Sequence, residues 1–483
     1  MDETTKPIPL HDLAFFIAIF FLCGVLISSI SGSIALRLVL SGGAAVLVMV
    51  IALAFRQSVI AMLAAAIFLG GLYHVGYEEM QTREEIIFDA PVTIEGIVRR
   101  AAPSASSQKV DVGNIRLTLA RYPSYRYGNV LRVEGVIKAP DAAFRNRYLR
   151  DGIVGTMNYP ITTLVNEDGG SFFMAALIHF KERIARTFTA TLPRGEALLM
   201  SGLTLGTKAE FSKEFRAELS QSGTAHLVAL SGYNIMVIVL GLGWLFRRMR
   251  LTRAAFPLTV GAIVAFVLMT GAEASVVRAA FMGSIVMLAG AVGRIYSFRN
   301  AIALAAFFMA LQNPKVLLFD IGFALSFAAL LGIVYLEPII GRITRLDARG
   351  GILGWRKSIS MTVAATIATL PITLVNFGTF SLSGIIANIA MLLAVPATMF
   401  LGLLIAIGGF IAMPLAKLFA LLAYPLLWYE GAMISFFSGF GYVSGITGAG
   451  AGFLIAYYSV LIALMLYVNR RLQYVELFET QHK

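Results

Sequence analysis

Of 483 residues, 58% are hydrophobic and 14% charged; a soluble chain of this length does not need so much apolar surface, and apolar runs of roughly twenty residues recur, the length that crosses a ~30 Å hydrocarbon core. The formal net charge is +12, and the one cysteine, Cys23, excludes an intrachain disulfide and a cysteine-based metal site. The histidines, His11, His74, His179, His226 and His482, are scattered and show no zinc-ligand spacing.

Three candidate spans open the chain, at about Leu13–Ile30, Ile34–Phe55 and Ser58–Gly76. The first does not read as a cleaved signal, because its leader is not basic and two further spans follow directly. From about Glu78 to Asp168 charges appear and period-two alternation begins: "VTIEGIVRR", "KVDVGNIRLTLARY", "NVLRVEGVIK" and "GIVGTMNYPITTLV" read as strands separated by turn residues. Four or five short strands in this length suggest a small barrel, of which an OB-like fold is one kind. Phe172–Leu192 reads as an amphipathic interfacial helix.

Nine further spans are expected, roughly 223–246, 255–271, 274–293, 300–313, 316–336, 358–377, 383–411, 416–437 and 451–468. The seventh is long and carries Pro396, so it reads as two half-helices. The fold class is thus a polytopic α-helical membrane protein of about twelve spans with an inserted, small extracytoplasmic β-barrel. The expected divisions are 1–77, 78–168, 169–210 and 211–483. With twelve spans, the basic loops (Arg56; Arg247, Arg248, Arg250, Arg253; Arg294, Arg299; Arg342, Arg345, Arg349, Arg356, Lys357; Arg470, Arg471) all fall on one side. That side is cytoplasmic, with both termini, and the net charge mainly orients the chain.

The inserted domain has its own excess. Pro91–Arg150 holds eleven basic residues against four acidic. "RYPSYRYGN" interleaves Arg121 and Arg126 with Tyr122, Tyr125 and Tyr127. With Arg99, Arg100, Arg116 and Arg132 these are candidates for tracking a phosphate backbone and stacking bases. The alternative is contact with anionic lipid.

Polar groups inside spans are functional candidates by default. His226, Ser231, Gly232, Tyr233 and Asn234 open a span, which points to a broken, cavity-lining segment, or else to a polar cap. Glu273 and Arg278 lie in "GAEASVVRAAFMGS", five residues apart and so poorly placed to face each other. Asp320 begins a span, with Gly322 and Ser326 on a small-residue face. Pro371 interrupts a span, and Asn376 and Asn388 flank its outer turn.

Four ordered elements resemble the ComEC competence family: "GTAHLVALSGYNIMVI", through Gly223, His226, Leu227, Ala229, Ser231 and Gly232; "GAEASVVRAAFM", with Arg278 and Ala279; "NPKVLLFDIGFALSFAALLGI", through Pro314, Gly322, Phe323, Leu325, Ser326 and Phe327; and "TLPITLVNFGTFSLSGIIAN", through Leu370, Pro371, Phe377 and Asn388. The resemblance implies a channel, not an enzyme, passing single-stranded DNA across the bacterial cytoplasmic membrane during natural competence, with no cofactor. Its implied partners are single-stranded DNA, membrane lipids, a DNA receptor outside, and a cytoplasmic motor or single-strand-binding protein, since no Walker motif occurs here. Two departures stand out. Tyr233–Asn234 replaces the family's common Leu-His, and no metallo-β-lactamase-like domain follows the last span, so a separate nuclease is expected if one strand is degraded. Two other readings are a transporter of a smaller solute or lipid-linked polymer using Glu273, Asp320 and Arg278, and an intramembrane hydrolase using Ser231, for which His226 is poorly angled as a base.

Overall fold

The computed structural model describes residues 10–30, 33–54, 58–81, 87–103, 106–141, 145–207, 211–228, 232–250, 252–292, 297–344, 355–391, 394–440, 442–444 and 450–481. The chain opens with three apolar helices, α1 (Leu10–Ile30), α2 (Ile34–Ala54) and α3 (Ser58–Gln81). Helices α1 and α3 approach closely because Gly24 rests on the Ile67 carbonyl and Gly70 on that of Phe21; small residues let helix backbones meet in this way.

Six strands follow: β1 (Pro91–Pro103), β2 (Ser107–Val112), β3 (Ile115–Ala120), β4 (Val130–Val136), then helix α4 (Arg145–Arg150), β5 (Gly155–Asn158) and β6 (Ile161–Asn166). Two of the expected strands are each two. "KVDVGNIRLTLARY" turns at Gly113, whose φ is +58°, and the last turns at Tyr159 and Pro160. The sheet order is β5-β3-β2-β1-β4-β6, antiparallel except for the parallel β3–β5 pair. An isolated antiparallel bridge from Lys138, just past β4, to Thr156 in β5 joins the two arms into a ring. Alternation sends Val98, Val110, Leu117, Leu131, Val133 and Met157 into one core.

Next come α5 (Phe172–Thr191), α6 (Arg194–Leu205) and α7 (Lys213–Gln221), then α8 (Gly232–Arg248), α9 (Thr252–Thr270), α10 (Ala274–Val292), α11 (Phe298–Gln312) and the single turn α12 (Val316–Phe319). Helix α13 (Ile321–Leu331) runs through a π-helical turn, Gly332–Leu336, into α14 (Glu337–Thr344). Then follow α15 (Trp355–Phe377), β7 (Thr379–Ser381), α16 (Ser383–Met391), α17 (Ala394–Ile411), α18 (Met413–Ser438), β8 (Tyr442–Ser444) and α19 (Ala451–Gln481). Strands β7 and β8 form an antiparallel pair.

Among the described residues eight helices are long and apolar enough to cross a membrane, and four more apolar helices are shorter. The protein is a multi-pass helical membrane protein with a separate small sheet domain. Three local expectations need correction. The span expected from Gly223 begins as a helix only at Gly232, since residues 225–227 form turns. Residues 383–411 do form two helices, but Pro396 is not the break: it sits in the first turn of α17, where the missing N–H costs nothing. Residues 194–205, expected within a linker, form the largely buried α6, which packs on α17 and α18.

The chain divides into two compact units. Unit 1 is Met1–Lys181 with Asn234–Asp320; unit 2 is Glu182–Tyr233 with Ile321–Lys483.

Candidate functional site

In unit 1 the sheet domain carries the basic residues. A β-bulge between Val98 and Arg100 leaves two consecutive arginines, Arg99 and Arg100, exposed together where strict alternation would bury one. Backbone bonds from Val98 N–H to Asn129 (2.8 Å) and from Gly128 N–H to Val98 (3.1 Å) bring the 121–129 loop to this strand. On that loop Arg126 and Tyr122 are exposed, and the Arg121 guanidinium lies 5.8 Å from the Tyr122 ring centre. Arg132 pairs with Glu95 at 3.1 Å on the surface.

Three candidates are structural instead. Tyr125 is in the core; its hydroxyl and that of Thr162 lie 2.8 Å apart, so neither ring face is open to a base. The Tyr127 hydroxyl accepts the Ser171 N–H at 3.2 Å. Arg116 grips both oxygens of Asp111, at 2.7 and 3.0 Å, stands 3.5 Å from Asp151 and lies over Tyr148. Its hydrogen bond to Asp111 outweighs burial and pushes the guanidinium pKa up.

The sheet domain is fastened to the helices of unit 1 through Arg150. Its side chain pairs with Asp320 at 3.2 Å, and its carbonyl accepts the Asn313 amide at 2.8 Å. Two residues past Asn313, the wholly buried Lys315 donates to Glu78 on α3 at 3.0 Å, and Arg37 on α2 holds the other Glu78 oxygen. One turn earlier His74 is buried, 3.1 Å from the Ser28 hydroxyl. Asp320 is therefore an ion-pair partner and breaks the chain between α12 and α13. Glu273 ends the turn before α10, where its carbonyl accepts from Val276 and Val277. It also acts on Lys181, whose ammonium burial pushes below its ordinary value, while Glu273 opposes that shift and Arg100 adds to it. Arg278 is half-buried on α10, and Asn234 is buried on α8.

In unit 2 the structure joins two residues 162 positions apart in sequence. His226 lies 3.1 Å through Nδ1 from the Gly223 carbonyl and 3.3 Å through Nε2 from Asn388 Oδ1, and the Asn388 amide nitrogen is 3.2 Å from the Thr362 hydroxyl. A carbonyl can only accept, so Nδ1 carries a proton. A neutral ring then presents a bare lone pair at Nε2, which requires the Asn388 amide turned over with its oxygen accepting from Thr362; an imidazolium fits the amide as placed. The chain can thus read the charge of His226 at Thr362.

The contact depends on two glycines. Gly223, at φ +69°, faces Gly384 so closely that a Cβ on Gly223 would fall 2.8 Å from the Gly384 Cα. Around them Ser222 and Thr224 lie 2.7 Å apart, and Ser381 and Ser383 2.9 Å apart. Pro371 is buried within α15; lacking an N–H, it leaves the Ile367 carbonyl free, and Tyr457 of α19 donates to that carbonyl at 2.9 Å. Asn376 is exposed and its amide donates to Ile372 at 2.9 Å; Ser326 is half-buried on α13. Gly232 is exposed at the first position of α8. Ser231 and the Tyr233 side chain lie outside the described residues.

Sequence reasoning missed Arg37, Glu78, Lys315, Thr362 and Glu430. Arg37 and Glu430 carried a usable signal, as charged residues inside apolar runs. Thr362 carried none.

A family model described as Competence protein matches residues 203–471. The chain belongs to the competence protein family. The match runs from within α6 to within α19, so it takes in the His226–Asn388–Thr362 chain and leaves the sheet domain outside. Over 274 residues the chain is 27% identical to ComE operon protein 3 of Bacillus subtilis (strain 168), covering 56% of this chain and 34% of that protein. No solved structure matches.

Proposed function

We propose that this competence-family protein takes up DNA, passing a single strand through the bacterial cytoplasmic membrane, with both termini inside and the sheet domain outside. The observation that carries the proposal is the basic face of the sheet domain, Arg99, Arg100, Arg121, Tyr122 and Arg126, on a chain that matches the competence family over residues 203–471. A polyanion is drawn to such a face, and an exposed tyrosine beside an arginine offers a base a stacking surface. The ring of strand pairings suits an OB-like barrel, a type that binds oligonucleotides. The hydrogen-bonded chain at His226, Asn388 and Thr362 would line the path, where polar groups with little fixed charge let a polyanion pass without trapping it. Glu273, Arg278 and Asn234 are the corresponding candidates in unit 1. The protein acts as a channel without catalysis, fed by a receptor outside and drawn by a cytoplasmic motor or single-strand-binding protein.

The test titrates fluorescent single-stranded DNA onto the purified full chain across a salt series. Arg121→Ala with Tyr122→Ala, and Arg99→Ala with Arg100→Ala, should weaken binding and reduce the salt slope by ~0.7 for each phosphate that the variant no longer neutralises. Arg116→Ala should leave the slope unchanged. No binding at low salt would sink the proposal.

A further inference from the structure

Glu430 lies on α18, in a helix that meets the length and composition of a span. It is about 7 Å from the helix midpoint at 1.5 Å per residue, hence within the hydrocarbon layer if α18 spans it. None of its surface is exposed. Its Oε2 has no hydrogen-bond partner, and its Oε1 lies 2.7 Å from the Thr398 hydroxyl on α17. Among the described residues no cation pairs with it.

The one contact says which form the carboxyl takes. Thr398 Oγ also lies 3.1 Å from the Ala394 carbonyl, which can only accept. A hydroxyl has one proton. If that proton goes to Ala394, the short contact to Glu430 needs a proton from the carboxyl. Burial favours the same form, since an unpaired carboxylate in an apolar interior is strongly disfavoured. No neighbouring charge opposes it: α16 and α17, packed on α18, carry no titratable residue. On α18 itself Lys417 lies more than three turns from Glu430, and the Tyr429 hydroxyl donates to the Ala390 carbonyl at 3.1 Å. Two further helices packed on α18 carry theirs elsewhere. Arg194 and Glu196 are in the first turn of α6. On α7 are Lys213, Glu214, Arg216 and Glu218, and Glu218 accepts from Ser435 at 2.8 Å.

We propose that Glu430 is a proton-binding site inside unit 2, held as an uncharged carboxylic acid against Thr398 and able to release its proton to water. On release the O–H bond breaks, the electron pair stays on the carboxylate, and the Thr398 hydroxyl turns its proton from Ala394 to Oε1. Nothing else is consumed.

The test uses the full chain in lipid vesicles and compares infrared spectra of the wild type and Glu430→Gln, an isostere of the acid form that cannot ionise. The expected result is a carbonyl band of a protonated carboxylic acid in mildly acidic buffer, absent from Glu430→Gln, fading as the buffer is made alkaline. Dicyclohexylcarbodiimide, which attacks protonated carboxyls in apolar surroundings, should label Glu430 over the same range, read by mass spectrometry of the peptides. An absent band, or a band that does not change with pH, overturns the proposal. The measurement needs no DNA, so its outcome is separate from that of the uptake reading.

Discussion

Units 1 and 2 are both largely apolar helices, yet they handle polar groups differently. Unit 1 holds them in ion pairs: Lys315 and Arg37 on Glu78, Arg150 on Asp320, Arg116 on Asp111, Arg299 on Asp12. The centre of unit 2 uses hydrogen bonds instead, with a histidine, an amide and hydroxyls in series and a carboxyl that meets only a hydroxyl. Ion pairs fix geometry, because losing one partner strands the other. Neutral hydrogen bonds can exchange donor and acceptor at little cost. By this contrast unit 1 is suited to fixing the sheet domain in place, and unit 2 to rearranging.

The sharpest way to break the contrast is Lys315→Ala. It leaves the half-buried Glu78 carboxylate with one of its two cations; removing one partner of a fully buried pair costs about 3–5 kcal/mol, which is the upper bound here. Thermal melts of the detergent-solubilised protein should show a collapse of stability. Lys315→Met with Glu78→Gln should recover much of it. If the single variant melts like the wild type, unit 1 does not depend on this cluster.

Gly223→Ala tests unit 2. The new Cβ meets the Gly384 backbone at an unfavourable φ, a strain of roughly 1–3 kcal/mol. It should part His226 from Asn388 and, on the proposed function, lower DNA uptake more than Asn388→Ala does. Arg150→Ala should cost ~1–3 kcal/mol and raise hydrogen exchange in α4 and α12 while leaving the 223–228 turn unaffected. The smallest effect is Tyr457→Phe, about 0.5–1.5 kcal/mol. It should vanish in a Pro371→Ala background, where the helix supplies its own donor to Ile367; a persistent effect would mean Tyr457 acts otherwise.

Much of the architecture was legible because it follows from local repetition. Apolar runs marked the spans and alternation marked the strands, since both are set by neighbours a few residues apart. The candidate site was less legible. His226 and Asn388 both stood out as polar groups in apolar surroundings, but nothing local says that they touch. Thr362, one threonine among several in α15, is indistinguishable until α16 lies beside it. Tyr125 failed for a related reason: in "RYPSYRYGN" three tyrosines look alike, and only the path of the 121–129 loop, held by Gln108 at the Tyr125 N–H, decides that Tyr122 faces out and Tyr125 in. Proline misled in the same way. Pro371 reads as an interruption of a span, yet α15 runs through it and a hydroxyl from α19 takes up the carbonyl it leaves.

Arg150 holds at two points, through its guanidinium to Asp320 and through its carbonyl to Asn313. A domain tied by one bond can swivel about it; a domain tied at both ends of one residue resists torque. Part of a twist applied to the sheet domain, as by a polymer drawn across its face, is thus delivered to the eight residues Asn313–Asp320. From there it passes through Lys315 into α2 and α3. That short segment is where mechanical work done on the sheet domain would be felt at a distance from its chain ends.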